Sequence, residues 1–364
     1  MHKFIAQMEP WFDKKEADAV YSYMKGGGWV TEFKKTQELE EEICRYTGAK
    51  YCVMTNNGTV SLTLALLALV VKPLSEVLVP NLTMIATPNS AVLIGIKPIL
   101  VDVEKDTLCL DLEKAQRAIT KKTKAVIYVS CNGRSDDMRK VTKFCHDNNL
   151  LLIEDAAQSL GSFWQGKHLG TFGIIGSFSF SVPKIITTGQ GGALVTDDRK
   201  LYKKIKRLKD FGRNQGGIDI HDLWGWNFKF TDLQAVIGLE QMKKLKTRVL
   251  RKKEIYKKYH QLLSGINEIQ FIATDLENTT PWFVDIYVND PDNLMEYLKK
   301  KRIGSRRIYP AISTQKIYKN EYKNQKFTNS EEITSKGLWL PSSSNLTDSD
   351  INRIAKTIRK YYNA

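Results

Sequence analysis

Apolar positions recur with a helical period over residues 14–24 and again over 35–46, and Gly26-Gly27-Gly28 interrupts the chain between the two segments. From residue 51 the pattern changes to short apolar runs separated by longer amphipathic ones. Strands are expected at 51–54, 76–79, 98–103, 125–129, 150–153, 174–180 and 193–196. Helices at 61–69, 84–93, 112–119 and 138–148 alternate with the first five. This order predicts an α/β fold whose large unit is a mostly parallel seven-stranded sheet flanked by helices. A long Lys-rich helix over 233–263 then leads to a strand at 282–288, a helix at 293–301 and a terminal helix at 348–362, a smaller α+β unit. The expected division is 1–240 for the large unit and 241–364 for the bridging helix and small unit, which suits a chain of 364 residues.

Two side chains stand out on this framework. Asp155 follows the apolar run 150–153, at the strand end where open α/β sheets collect their ligands. Lys184 follows the strand at 174–180 and the turn at Pro183, on a short loop closed by Gly189, Gly191 and Gly192. A lysine on such a loop with a separate strand-end aspartate suits pyridoxal phosphate, the lysine forming the Schiff base and the carboxylate pairing with the pyridinium. The plainer readings are a surface lysine and a helix cap. A third feature is the turn Thr55-Asn56-Asn57-Gly58-Thr59 between a strand and a helix, where free N–H groups and the helix dipole make an anion site. No G-x-G-x-x-G follows the first strand and no G-x-x-x-x-G-K-[ST] occurs anywhere, so dinucleotide and P-loop readings lose their support.

Composition narrows this further. Hydrophobic residues make up 42% and charged residues 26%, the balance of a globular enzyme, and no apolar run reaches membrane-spanning length. The first residues lack the apolar core of an export signal, so a cytoplasmic protein is expected. The net charge of +15 is scattered through helices, reading as a solvated face that would also steer an anionic substrate; nucleic acid and membrane are not expected partners. The five cysteines form no C-x-x-C pair and read as reduced, mostly buried thiols, with no metal site expected.

The run SFSF, Lys184 four residues beyond it, TTGQGG and the preceding EDAAQ resemble the DegT/DnrJ/EryC1/StrS family of sugar aminotransferases, of PLP-transferase fold type I. The resemblance runs from Gly28-Trp29-Val30-Thr31 to a strand at Leu340-Pro341-Ser342. It implies that Lys184 is the Schiff-base and proton-shuttling residue and that Asp155 pairs with the pyridine nitrogen. Ala157 would lie under the ring, Gln158 would reach the ring hydroxyl, and Met84 would take the opposite face, where many relatives have Phe. Gly58, Thr59, Ser179 and Asn227 would hold the phosphate, Asn227 coming from a second subunit, so that a homodimer shares its active sites. Trp29, Arg134, Arg307 and Tyr309 are the candidate substrate contacts. One departure concerns Arg134: many relatives carry His-x-Tyr-Gly where this chain has Ser130-Cys131-Asn132-Gly133-Arg134. The implied reaction transfers an amino group from L-glutamate, which becomes 2-oxoglutarate, to a nucleotide-linked keto-sugar. A 4-keto-6-deoxyhexose is the expected acceptor, after the perosamine and viosamine synthase type; a 3-keto sugar, a keto-inositol or an oxidised octulosonate is the alternative. Outside enzymes, a PLP-binding regulator or a nucleic-acid-binding protein is the competing class.

Overall fold

Val77, Leu78 and Val79, like Val126, Ile127 and Val129, are buried along their whole run, the pattern of strands covered on both faces. The computed structural model describes residues 3–363. Seven strands form the principal sheet: β1 (Tyr51–Thr55), β2 (Glu76–Pro80), β3 (Lys97–Val101), β4 (Thr123–Val129), β5 (Leu151–Asp155), β6 (Ile175–Ser179) and β7 (Gly192–Thr196). Their spatial order is β1-β7-β6-β5-β4-β2-β3, with β7 antiparallel to both its neighbours and the other pairs parallel. The mostly parallel seven-stranded sheet expected from the sequence is borne out, with strand ends differing by one to three residues.

The helices around it are α1 (Lys14–Lys25), α2 (Lys34–Thr47), α3 (Gly58–Ala68), α4 (Ala86–Val92), α5 (Leu112–Ala118), α6 (Met138–Asp147) and α7 (Arg199–Lys209). Helix α2 begins at Phe33, which offers no capping side chain. Its cap comes from afar: the fully buried Asp232 carboxylate accepts from the N–H groups of Phe33, Lys35 and Thr36 and from the hydroxyls of Thr36 and Tyr23. Asp232 in turn opens α8 (Asp232–Leu263), a helix of 32 residues, or roughly 48 Å. The first half of α8 packs into a core with Leu39, Phe178 and Phe230, and its second half, from Ile255 to Leu263, into a core with Val284, Leu298 and Ile354.

The C-terminal part contains β8 (Val284–Tyr287), α9 (Pro291–Lys300), β9 (Arg306–Arg307), α10 (Lys316–Tyr322), α11 (Thr328–Lys336), β10 (Gly337–Leu340) and α12 (Asp348–Tyr362). Its three strands form an antiparallel sheet in the order β8-β10-β9. The strand expected through Pro341 and Ser342 stops at Leu340, since Pro341 has no N–H to extend the ladder. Helices α7, α10 and α11 are additions to the expected elements. Tyr318, Tyr322 and Phe327, on and between α10 and α11, pack against Leu100 of the edge strand β3, and the Tyr322 hydroxyl donates to the Pro98 carbonyl at 2.6 Å. The edge is covered by this contact. The N-terminal strand segment also joins this part: Ile5 pairs with Ile303, and the Ser342 N–H donates to Gln7. Residues 5–9 therefore run along the C-terminal unit, which a division at residue 240 assigns elsewhere.

Candidate active site

Strands β2, β4 and β5 end at the same edge of the sheet, and the two carboxylates that close β5 serve different sides of it. Glu154, fully buried, accepts from the backbone N–H groups of Gly170, Phe172 and Gly173 and so fixes the loop that leads into β6. Asp155 accepts from the Thr87 hydroxyl at 2.8 Å and from the Ala157 N–H at 3.1 Å. Its Ala157 bond is a local turn bond, but the Thr87 bond reaches across to α4. Burial pushes the Asp155 pKa up, against these hydrogen bonds and the Lys184 charge, which lower it. A buried carboxylate in this setting is stabilised by a cation.

Lys184 stands half-buried on a turn closed by its own N–H, which donates to the Ser181 carbonyl at 3.0 Å. Three further hydrogen bonds hold the turn's backbone: Trp282 Nε1 donates to Pro183 at 2.7 Å, Arg248 Nη1 to Ile185 at 3.3 Å, and the Thr187 N–H donates to Gln241 Oε1 at 3.2 Å. The Lys184 Nζ lies 4.0 Å from the centre of the Trp282 ring. Burial brings the Lys184 pKa down to about 8, with the Asp155 charge pulling the other way. A substantial neutral fraction is therefore present near physiological pH.

The third feature is the start of α3. Asn57 caps the helix, its Oδ1 accepting from the Val60 N–H at 2.9 Å, and the N–H groups of Gly58 and Thr59 take no partner among the described residues. A Cβ on Gly58 would sit 3.0 Å from the Ser179 Cβ, and one on Gly192 would meet Ser61 Oγ at 2.4 Å and Asn57 O at 2.5 Å. Glycine at both positions brings the helix N-terminus against the end of β6, where Ser179 hydrogen-bonds Ser181. Free N–H groups and the positive end of a helix suit a phosphate. Lysine, aspartate and this cradle together fit a pyridine aldehyde carrying a phosphate.

The other expected residues divide. Gln158 Oε1 accepts the Asn132 N–H at 2.8 Å, which orients its amide. Met84 is exposed at the approach to α4, three residues before Thr87. Tyr309 stacks edge-on to Trp339 at 4.9 Å and lies 6.3 Å from Trp282; burial pushes its hydroxyl up to about 12, and the Asp155 charge reaches it. Trp29 is exposed between α1 and α2, its carbonyl accepting from the Tyr23 hydroxyl at 2.7 Å. Asn227 is exposed, its backbone bridged to Asp210.

Two expected substrate contacts are corrected. Arg134 is buried to 3% exposure and makes a bidentate ion pair with Asp285 of β8 at 2.9 and 2.8 Å, with further bonds to Thr274. Its guanidinium is used inside the protein. Around it, Asn132 exchanges hydrogen bonds with the Phe283 backbone, and a Cβ on Gly133 would lie 2.3 Å from the Thr280 carbonyl, so the loop after β4 is welded to the start of β8. Arg307 donates to the Thr334 and Ser335 carbonyls at the end of α11 and pairs with Asp292 at 3.5 Å. Its neighbour Arg306 takes the opposite face of β9 and stands 5.5 Å over both Tyr309 and Trp339, with no carboxylate partner among the described residues. Arg306, Thr87 and Trp282 are the residues near this site that the sequence reading did not single out. Only the Arg306-Arg307 pair offered a signal, and its register was not legible.

A mostly parallel seven-stranded sheet carrying such a lysine and carboxylate at its edge is the layout of the PLP-transferase aminotransferases. The comparisons agree. The model of the DegT/DnrJ/EryC1/StrS aminotransferase family matches residues 10–359. The chain is 32% identical over 363 residues to a GDP-perosamine synthase of Escherichia coli O157:H7 and 31% identical over 364 residues to one of Vibrio cholerae, in both cases covering 99% of each chain. Among solved structures, the putative sugar aminotransferase Spr1654 of Streptococcus pneumoniae, in its PMP form, superposes with a TM-score of 0.91 at 26% identity, covering 100% of this chain and 99% of that one. The chain belongs to the DegT/DnrJ/EryC1/StrS aminotransferase family, as its motifs suggested, and is an aminotransferase.

Removing one partner of a buried ion pair strands the other charge. Arg134→Ala is therefore expected to lower the unfolding free energy by about 3–5 kcal/mol, read as a fall in the urea midpoint. A variant that unfolds at the wild-type urea concentration would return Arg134 to the list of substrate contacts.

Proposed function

We propose that this aminotransferase binds pyridoxal phosphate through Lys184 and transfers the amino group of L-glutamate to a nucleotide-linked keto-sugar. A 4-keto-6-deoxyhexose is the acceptor in this reading, giving a 4-amino-4,6-dideoxy sugar and 2-oxoglutarate. The observation that carries it is the half-buried amine of Lys184 at the sheet edge that also holds buried Asp155 and the α3 cradle. The relatives named GDP-perosamine synthases favour the sugar.

When bound, pyridoxal phosphate supplies an electron-poor ring that takes up the negative charge left as a substrate carbon loses its proton. This chain's residues do the rest. Asp155, held by Thr87 and Ala157, keeps a negative charge aimed at the ring nitrogen. The N–H groups of Gly58 and Thr59, with Ser179, hold the phosphate and fix the ring's position. Gln158 reaches the ring hydroxyl, and Ala157 and Met84 cover its two faces. The Lys184 amine, largely neutral above its lowered pKa, accepts and returns the substrate's proton. Tyr309 and Arg306 stand on the opposite wall, Arg306 offering a free guanidinium to a diphosphate or a carboxylate.

The reading includes a large unit ending near residue 240 and a smaller one beyond it. It also includes a homodimer. Trp29, Phe33, Ile220, Trp224 and Trp226 are exposed apolar residues, Trp224 to 87%, a surface that suits burial against a second copy. Asn227 lies in this region and would complete the neighbour's phosphate site. Among the described residues no helix is long and apolar enough to cross a membrane.

The neutral amine is the reactive form, so borohydride trapping of added pyridoxal phosphate on the cofactor-free protein is expected to rise with pH through about 8 and level off above it. Lys184→Ala should abolish the trapped label; label on another lysine would remove the assignment. Incubation with pyridoxal phosphate, glutamate and a panel of nucleotide keto-sugars, with products identified by mass, tests the substrate. A 4-amino-4,6-dideoxy product is expected, while turnover only of a 3-keto sugar, a keto-inositol or an oxidised octulosonate would replace it. Asn227→Ala loses a charge-assisted bond worth about 1.5–3 kcal/mol, so cofactor retention should weaken by roughly tenfold to a hundredfold. A monomer in sedimentation that holds the cofactor as tightly as the oligomer would refute the shared site.

A further inference from the structure

Trp282 is buried to 1% exposure and opens the segment that leads into β8, far in sequence from Lys184. Its indole N–H donates to the Pro183 carbonyl at 2.7 Å, one residue before Lys184, while its ring face lies under the Lys184 amine at 4.0 Å. One side chain thus touches both the backbone of the reactive turn and the nitrogen it presents. Trp282 is itself anchored. Its carbonyl accepts from Lys252 Nζ at 2.7 Å, its ring stacks on Phe283 at 4.0 Å, and Trp339 packs edge-on at 5.6 Å. Lys252 lies in the buried face of α8 and also donates to the Ser342 carbonyl, with no carboxylate partner among the described residues.

From this geometry we infer that Trp282 is a positioning residue for Lys184, whose indole N–H fixes the turn and whose ring covers the amine, and that Lys252 holds Trp282 in place. The inference rests on Lys184 being the cofactor-binding lysine. An amine laid on an aromatic face keeps a defined direction, and a ring in that position excludes the water that would otherwise solvate the ammonium. The charged or titratable groups facing this arrangement are Asp155, Arg248 on the Ile185 carbonyl, Lys252 behind the ring and Tyr309 beside it. None of them covers the amine as Trp282 does. The two contacts are separable: Phe at position 282 keeps a ring face and loses the donor, and Leu loses both.

The test is the pH dependence of borohydride trapping of pyridoxal phosphate on the cofactor-free protein, with the labelled peptide mapped, in wild type, Trp282→Phe and Trp282→Leu. In wild type the label is expected on Lys184 with a midpoint near 8. Trp282→Phe should keep that midpoint and trap more slowly, as the turn loosens. Trp282→Leu should move the midpoint up by a unit or more as water reaches the amine, reducing trapping at pH 7 by about tenfold. A folded Trp282→Leu protein with the wild-type midpoint overturns the inference. Label on a different lysine in the wild type overturns the Lys184 assignment instead. A measurement that does not depend on the Leu variant folding is tryptophan fluorescence of the cofactor-free protein against pH. A change with the Lys184 midpoint is expected, absent in Lys184→Met and in Trp282→Phe. Its persistence in Trp282→Phe, or its absence in wild type, counts against the ring contact.

Discussion

The structure around the proposed site depends on one constraint, the fixing of the Lys184 turn from elements remote in sequence. Gln241 and Arg248 of α8 hold Thr187 and Ile185, and Trp282 holds Pro183. These hydrogen bonds are made to backbone groups, so the turn's path, and not only its side chains, is determined by tertiary packing. Arg248 also donates to Gln241 and to the Trp11 carbonyl at 2.6 Å, which ties the approach to α1 into the same network. A lysine on a glycine-bounded loop would otherwise move with the loop, and an amine that must meet one atom of a bound ring cannot do so from a mobile support.

The other half of the site is held by simpler means. Alternation along β5 sends Glu154 and Asp155 to different partners, so one carboxylate organises the loop into β6 while its neighbour stays available to a ligand. Close packing does the same for the cradle. Gly192 on β7 and Gly58 on α3 let the helix end approach the sheet edge, and a side chain at either place would collide with Asn57, Ser61 or Ser179. The anion site is thus a consequence of how near a helix can come to two strands.

Much of this was legible in the sequence because its causes are local. A buried strand announces itself by an unbroken apolar run, Asp155 by following one, and the reactive loop by its proline and glycines. The arginines were not legible, because their roles are set by partners far along the chain. Arg134 and Asp285 are 151 residues apart, and no pattern near Arg134 distinguishes a substrate contact from half of a buried pair. Arg306 and Arg307 differ only in which face of a two-residue strand they occupy, and a slip of one residue exchanges them. Residues 5–9 were assigned to the large unit by proximity in sequence, whereas their backbone pairs with segments beyond residue 300.

Lys252 shows where compositional reasoning stops. It lies in a helix so rich in lysine that each one reads as solvated, yet its ammonium is enclosed and meets two carbonyls and an aromatic ring. Burial lowers its pKa to about 7. Relative to an ordinary lysine, the unfolded chain binds the extra proton between about 7 and 10.5, so the penalty is full below pH 7 and is relieved as pH rises through that window. The cost is on the order of several kcal/mol. A leucine or methionine there would avoid it, but neither can donate to the carbonyls of Trp282 and Ser342 at once. The lysine is thus a stability cost at a joint between α8, the strand that begins at Val284 and the chain after Leu340, and that joint is what presents Trp282 to Lys184.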